Sequence, residues 1–309
     1  MHIVRFATAD SPEARIGVLD RGAVTEVPGT DSLAELWQLP TADLRERVAD
    51  PSGRDWALAE VTLLPPVDGS TEVWACGVTY QISQDARMEE SERAASVYEQ
   101  VYDAERPELF FKSAAWRVVG DGEPIAIRPD SGIDVPEPEV AVVVNASGDI
   151  VGYTVCNDVS SRTIEGENPL YLPQAKIYLG ACAVGPAIRP AWEIPDPYEL
   201  SVAMTIHRDG RPAWDGTAST AQLHRHIDEL VGFLLRADRF PDGAVLSTGT
   251  CLVPPAPFSL IAGDVVRIEV GEVGSLTNPV VGSMAEMSWL VDARSDVRAR
   301  RTSPKTQES

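Results

Sequence analysis

Two carboxylates spaced two apart, Glu137 and Glu139 in "DVPEPEVAVVVN", stand at the mouth of one of the most apolar runs of the chain. In extended backbone such residues project to one side, and Pro138 stiffens the chain between them. Ionised groups carried toward a buried sheet lose hydration and repel each other unless something positive receives them. A hard divalent cation suits this arrangement, since Mg²⁺ takes oxygen ligands and keeps positions open for water or substrate. Asp158, emerging from a second apolar run in "YTVCNDVSSR", is a candidate third ligand. The same spacing also fits exposed acids at strand ends.

The basic residues narrow the proton chemistry. Lysine occurs only as Lys112, Lys176 and Lys305, and every other cation is arginine. Arginine stays protonated in proteins, whereas a buried lysine shifts its pKa readily and can pass a proton. Lys305 lies in the polar tail, so Lys112 and Lys176 are the lysines to watch. Glu108 precedes Lys112 by four residues in "PELFFK", which places both on one side of a strand. Ser160, Ser161 and Arg162 follow Asp158 and are expected to shape its loop, with Arg162 able to pair with a ligand carboxylate. Glu165 and Glu167 repeat the Glu-x-Glu pattern in an apparent loop, where solvation is expected.

Other chemistries find less support. The histidines are His2, His207, His224 and His226, and the last two diverge if their segment is helical, which disfavours zinc. Cys76, Cys156, Cys182 and Cys251 lack CxxC spacing and suit reduced, buried thiols in a cytoplasmic protein. The chain contains no GxSxG elbow, no Walker A sequence and no GxGxxG between a strand and a helix. "GDGEP" reads as a turn.

The elements that must position these residues follow from the hydrophobic pattern. The 309 residues exceed the usual size of a single core, and 26 basic against 47 acidic residues give a formal net charge of −21. That field disfavours nucleic acid and anionic membranes as partners. The opening lacks the basic and apolar regions of a signal peptide, and no run is apolar enough to span a bilayer. "HIVRFAT", "ARIGVLD" and "GAVTEVP" read as strands, followed by helical "DSLAELWQL" and "DLRERVAD", so residues 1–66 are expected to form a small N-terminal α/β domain. Residues 67–291 carry strands at "EVWACGV", "ELFFK", "EVAVVVN", "DIVGYTVCNDVS", "GAVLSTGT" and "GDVVRIEVGEVGSLTNPVV", the pattern of a largely β domain. Helices are expected at "SQDARMEESERAASVYEQVYDAE" and at "STAQLHRHIDELVGFLLRAD", the latter apolar at Leu223, Ile227, Leu230, Val231 and Leu234. Residues 292–309 form a polar tail expected to fray.

Read together, "FFKSAAWRVVGDGEPI", "EPEVAVVV", "GYTVCNDVSSR", "LSTGT" and "GDVVRIEVGEVGSLTNPV" resemble the fumarylacetoacetate hydrolase family over about residues 72–290. "GVTYQISQDARMEESE" and "IEGENPLYLPQAKIY" look most like its members that act on 2-keto-3-deoxy sugar acids. The resemblance implies a fumarylacetoacetase-like mixed β-sandwich roll. It also implies a Mg²⁺ ion, with Mn²⁺ or Ca²⁺ as substitutes, held by Glu137, Glu139 and Asp158 and chelated by a small anionic 2-oxo acid. Lys176 would stand close to that ion and Thr250 would contact the substrate. Lys176 and Glu108 are then the candidate acid and base, with Lys112, Tyr80, Ser83 and Arg87 as candidate substrate contacts. A homodimer or homotetramer is expected by the same likeness.

One departure bears on the reaction. The family's hydrolases carry a histidine shortly after the "GVTY"-like strand, and "GVTYQISQDARMEES" has none. A dehydratase acting by C3 proton abstraction and loss of the C4 hydroxyl is therefore expected, with a metal-dependent hydrolase or decarboxylase of an acylpyruvate or other 2-oxo acid as the alternative.

Overall fold

The computed structural model describes residues 1–81 and 100–300. The N-terminal part contributes β1 (His2–Thr8), β2 (Arg15–Asp20), β3 (Ala23–Glu26), β4 (Asp55–Ala57) and β5 (Val61–Leu64), with helices Leu33–Trp37 and Thr41–Ala49 between β3 and β4. Ser32 caps the first of these helices, its hydroxyl accepting from the Glu35 amide. There follow β6 (Glu72–Gly77), β7 (Glu108–Ala114), β8 (Ile125–Ala126), β9 (Asp134–Val135), β10 (Pro138–Val144), β11 (Ile150–Asp158), β12 (Ser160–Ser161), β13 (Cys182–Pro190), β14 (Ser201–Arg208), β15 (Arg211–Ser219), β16 (Ala244–Ser247), β17 (Val265–Val270) and β18 (Gly274–Val281).

The main sheet runs in the order β4, β3, β2, β1, β13, β11, β10, β16, β6, β7, with β5 also paired to β1. A five-stranded sheet, β15, β14, β17, β18, β8, packs against it, and β12 pairs with β9 as a small ribbon. The architecture is the mixed β-sandwich that the family resemblance implies, in a chain whose strand pattern reads as largely β. Among the described residues no helix is long and apolar enough to cross a membrane.

The register explains why "PEVAVVV" reads as an unbroken apolar run: all seven residues of β10 are buried. Val140, Val142 and Val144 face the five-stranded sheet, sharing a core with Val202, Met204, Ile206, Ile268 and Leu276. Ala141 and Val143 face the other way, into a core with Leu33, Leu36, Trp37 and Leu44 from the N-terminal helices. The first 66 residues thus close the far side of the central strands and share a core with the segment that follows.

Two expectations change. The segment expected to be helical from Ser219 to Asp238 is helical only over Ile227–Leu234. A 3-10 turn covers Thr220–Gln222, and Leu223 makes an isolated bridge with Tyr80. The apolar spacing of Leu223 therefore reflects a strand-like contact, and His224 and His226 precede the helix. The tail also folds further than its polarity suggests. Arg300 donates from Nε to Glu123 Oε1 at 2.6 Å and from Nη2 to Glu123 Oε2 at 2.8 Å and to the Val118 carbonyl at 2.7 Å. Glu123, in the "GDGEP" turn, is buried, so the pair ties residues 292–300 to the body of the fold.

Arg300→Ala leaves the Glu123 carboxylate buried with the Gly120 amide but without the Arg300 cation. Urea unfolding should show a loss of about 3 kcal/mol.

Candidate metal centre

Strand pairing gathers the chemistry on one face of the main sheet. Glu139 lies opposite Cys156 on β11, and Glu137 joins the β11 end through the Asp158 amide, which donates to its carbonyl at 3.0 Å. Ser247 on β16 opposes Ala141 and Ala75, and Ala75 opposes Phe110 on β7. Because alternate residues share a face, Glu108, Phe110 and Lys112 of β7 look toward the same region as Glu137, Glu139 and Asp158.

There the carboxylate oxygens of Glu137, Glu139 and Asp158 come within 4.8 Å of one another. All three side chains are buried. Their compensation comes from three cations. Lys176 Nζ donates to Glu137 Oε2 at 2.6 Å, Asp158 Oδ2 at 2.9 Å and Ser160 Oγ at 2.6 Å, and lies 5.6 Å from the Phe110 ring centre. Arg162 Nη2 donates to Glu137 Oε1 at 2.6 Å. Lys112 Nζ pairs with Asp158 Oδ1 and donates to the carbonyls of Val159 at 3.1 Å and Lys176 at 2.6 Å.

Glu139 is held differently, by neutral donors. Ser247 Oγ donates to its Oε2 at 2.5 Å and the Gly249 amide donates to the same oxygen at 2.9 Å. Burial pushes its pKa well up, reinforced by the charges of Asp158 and Glu137. A divalent cation would reverse that cost, and three converging hard oxygen donors fit Mg²⁺. Cys156, beside Glu139, is also pushed up, by its contact with Cys182 and by burial, so it offers no reactive thiolate.

The structure distributes the expected substrate contacts unevenly. All three N–H donors of Lys112 are taken by protein oxygens, so it positions Asp158 and leaves none for a substrate in this arrangement. Thr250 Oγ1 has the Pro138 and Leu252 carbonyls as alternative acceptors for its one O–H, at 3.1 and 2.9 Å, beside the Glu-Pro-Glu backbone. Tyr80 is buried three residues beyond β6, and burial drives its phenol upward. Glu108 stands opposite Gly77, where any Cβ would fall 2.0 Å from its Oε2, so the glycine makes room for the carboxylate. Ser83 and Arg87 lie outside the described residues.

Glu165 is a correction. Expected in solvent, it is buried on the short helix Arg162–Glu167, which Ser161 caps and which packs beside Leu172–Lys176. Ser247, Gly249 and Phe110 carry no local sequence signal that marks them as site residues. Only the pairing of β16 with β10 and β6 brings them to the site, although "LSTGT" placed Ser247 three residues before Thr250.

A family model described as fumarylacetoacetate (FAA) hydrolase C-terminal matches residues 73–281, over this same constellation. The chain belongs to this family. A separate model described as Rv2993c-like, N-terminal, matches residues 1–66. Among family relatives, the chain is 46% identical to a probable 2-keto-3-deoxyxylonate dehydratase of Haloferax volcanii, over 89% of this chain and 91% of that protein. It is 43% identical to the 2-dehydro-3-deoxy-D-arabinonate dehydratase of Saccharolobus solfataricus, over 74% of this chain and 77% of that protein. The solved structure of a 2-keto-3-deoxy-D-arabinonate dehydratase complexed with magnesium and 2,5-dioxopentanoate superposes with a TM-score of 0.79 at 34% identity, covering 92% of this chain and 99% of that one.

Two measurements probe the electrostatics of the site. Glu139→Gln removes a ligand charge, and calorimetric titration should show loss of Mg²⁺ binding. Nearby Asp134, on β9, has its pKa raised from 3.8 to about 6, chiefly by burial and against a hydrogen bond from Ser131. The folded state therefore holds its proton between those values and loses stability as pH rises through them. Melting curves at pH 4 and 7 should show Asp134→Asn gaining on the order of 1 kcal/mol relative to wild type at the higher pH.

Proposed function

We propose that the protein is a Mg²⁺-dependent dehydratase of a 2-keto-3-deoxy sugar acid, converting 2-dehydro-3-deoxy-D-arabinonate to 2,5-dioxopentanoate. The observation that carries this reading is Lys176 Nζ set between Glu137 and Asp158, in a chain with no histidine between His2 and His207. The site has a proton-transfer group at the metal ligands and lacks the family's water-activating histidine.

The named activities of the two relatives agree more closely than their names suggest. Xylonate and arabinonate of one series differ only at C2 and C3, and the 2-oxo and 3-deoxy changes erase both centres. Within the D series the two substrates are one compound.

Glu137, Glu139 and Asp158 would hold the Mg²⁺. When bound, that ion supplies Lewis acidity to a 2-oxo carbonyl and so acidifies the adjacent C3 protons. Lys176, whose three donors are met here by Glu137, Asp158 and Ser160, would take a proton from the carbon next to that carbonyl once the bound ion draws those carboxylates away from it. Glu108, given space by Gly77 on the same face, is suited to protonate the departing C4 hydroxyl. Phe110 and the surrounding apolar strands restrict water around Lys176. Loss of water across C3 and C4, followed by tautomerisation, yields 2,5-dioxopentanoate with all five carbons retained. Tyr80, Ser83, Arg87 and Thr250 belong to the side of the site assigned to the substrate. The family likeness supports a homodimer or homotetramer, and four scattered reduced thiols support a cytoplasmic location.

The test is incubation with the 2-keto-3-deoxy acid and Mg²⁺, scored for a five-carbon semialdehyde. Release of pyruvate or carbon dioxide from an acylpyruvate or oxaloacetate, with no semialdehyde from the sugar acid, would overturn the reading. Lys176→Ala should fold in the presence of Mg²⁺ and lose at least ~100-fold in kcat. Full activity in that variant would remove Lys176 from the proton transfers.

A further inference from the structure

Glu139 is the one metal-ligand carboxylate without a cationic partner among the described residues, so its orientation rests on the Ser247 hydroxyl and the Gly249 amide. The peptide that supplies the amide is itself gripped at its other end. Its carbonyl, that of Thr248, accepts from Thr79 Oγ1 at 2.6 Å. Thr79 is fully buried and lies two residues beyond β6. The Thr79 carbonyl in turn accepts from the His224 amide at 2.9 Å, which fixes its own backbone.

The steric fit around this contact is tight. Gly249 has φ +97°, and a Cβ there would fall 2.0 Å from Thr79 Oγ1. The absent side chain at 249 lets the threonine hydroxyl approach the peptide. Val78 adopts φ +53°, a region a β-branched residue rarely enters, at the turn that delivers Thr79 to this position.

We propose that Thr79 is a positioning residue for the metal: its hydroxyl orients the Thr248–Gly249 peptide so that the amide holds Glu139 Oε2 and presents Oε1 to the ion. Among the described residues no hydrogen bond falls on Oε1, whereas Oε2 receives two. A donor at the carbonyl end polarises the peptide and strengthens the bond from its N–H end. A hydroxyl three groups removed from the metal thereby selects which oxygen of the ligand is available, the role that outer partners play for other metal ligands. This inference rests on the metal assignment above, and it assigns to Thr79 no contact with substrate.

Calorimetric titration of Mg²⁺ into substrate-free protein tests it without reference to turnover. Thr79→Val keeps the shape and removes the donor, and the Kd should rise ~10- to 100-fold. Thr79→Ser keeps the hydroxyl and should restore the wild-type Kd. Thr154→Val serves as the control, because it removes a buried hydroxyl of the same kind on β11, donated to the Ala187 carbonyl at 2.8 Å and outside the hydrogen bonds that hold Glu139. Its Kd should equal that of wild type. An unchanged Kd in Thr79→Val, or in Thr79→Cys should the valine variant fail to fold, overturns the relay. So does an equal rise in Thr154→Val, which would mark general loosening. Wild-type protein that binds Mg²⁺ but dehydrates no sugar acid would overturn the functional reading and leave the relay standing.

Discussion

Three carboxylates buried on one sheet face set the terms for everything around them. Each lost hydration when the strands closed, and their mutual repulsion compounds that loss. The chain answers with Lys112, Lys176 and Arg162, all buried and all within hydrogen-bonding reach of Glu137 or Asp158. Removing one member of such a cluster costs more than the cluster contributes, since the others keep their charge in a dry setting. The surroundings are therefore fixed: Ser160 must accept Lys176 at 2.6 Å, and Lys112 must be steadied by two backbone carbonyls.

That constraint explains the division of the central strands into two kinds of residue. On one face of β10 the valines pack against the second sheet, and this dry layer holds the strand in place. On the other, Glu137 and Glu139 come first and Ala141 and Val143 follow, so polar and apolar layers lie end to end along one strand. The N-terminal helices cover only the apolar stretch. The rigid mount and the charged cluster are two faces and two ends of the same short element, which is the arrangement a preorganised metal site requires.

Much of this was legible in the residues. The i, i+2 spacing of Glu137 and Glu139, the apolar run behind them and the rarity of lysine are local facts, and they survive folding because period-two geometry leaves them little choice. What escaped depended on long-range pairing. Ser247 reaches Glu139 only because β16 lies beside β10, and no local pattern states that adjacency. Glu165 looked solvated because its neighbours are polar, yet its short helix packs beside the turn that ends in Lys176. Leu223 mimicked a helical repeat, and a contact with Tyr80 claimed it instead. Arg300 was lost in a polar tail because the turn that buries its partner Glu123 is far away in sequence.

The choice of cation at each place bears on the reaction. Arg162 grips Oε1 of Glu137, and Lys112, like Lys176, meets three protein acceptors, two of them backbone carbonyls, so Arg162 and Lys112 are suited to holding geometry. Among the described residues Lys176 alone bridges two of the three converging carboxylates. An ammonium there is a compact charge whose donors reach both carboxylates at once. Hydrolysis needs a group to activate water near the metal, and the residues that build this centre include no histidine. Dehydration releases water, needs protons moved at two adjacent carbons, and gains from a site that excludes solvent. Under the proposed reading, Lys176 among the buried carboxylates and Glu108 on the edge strand β7 would meet the second set of demands and not the first.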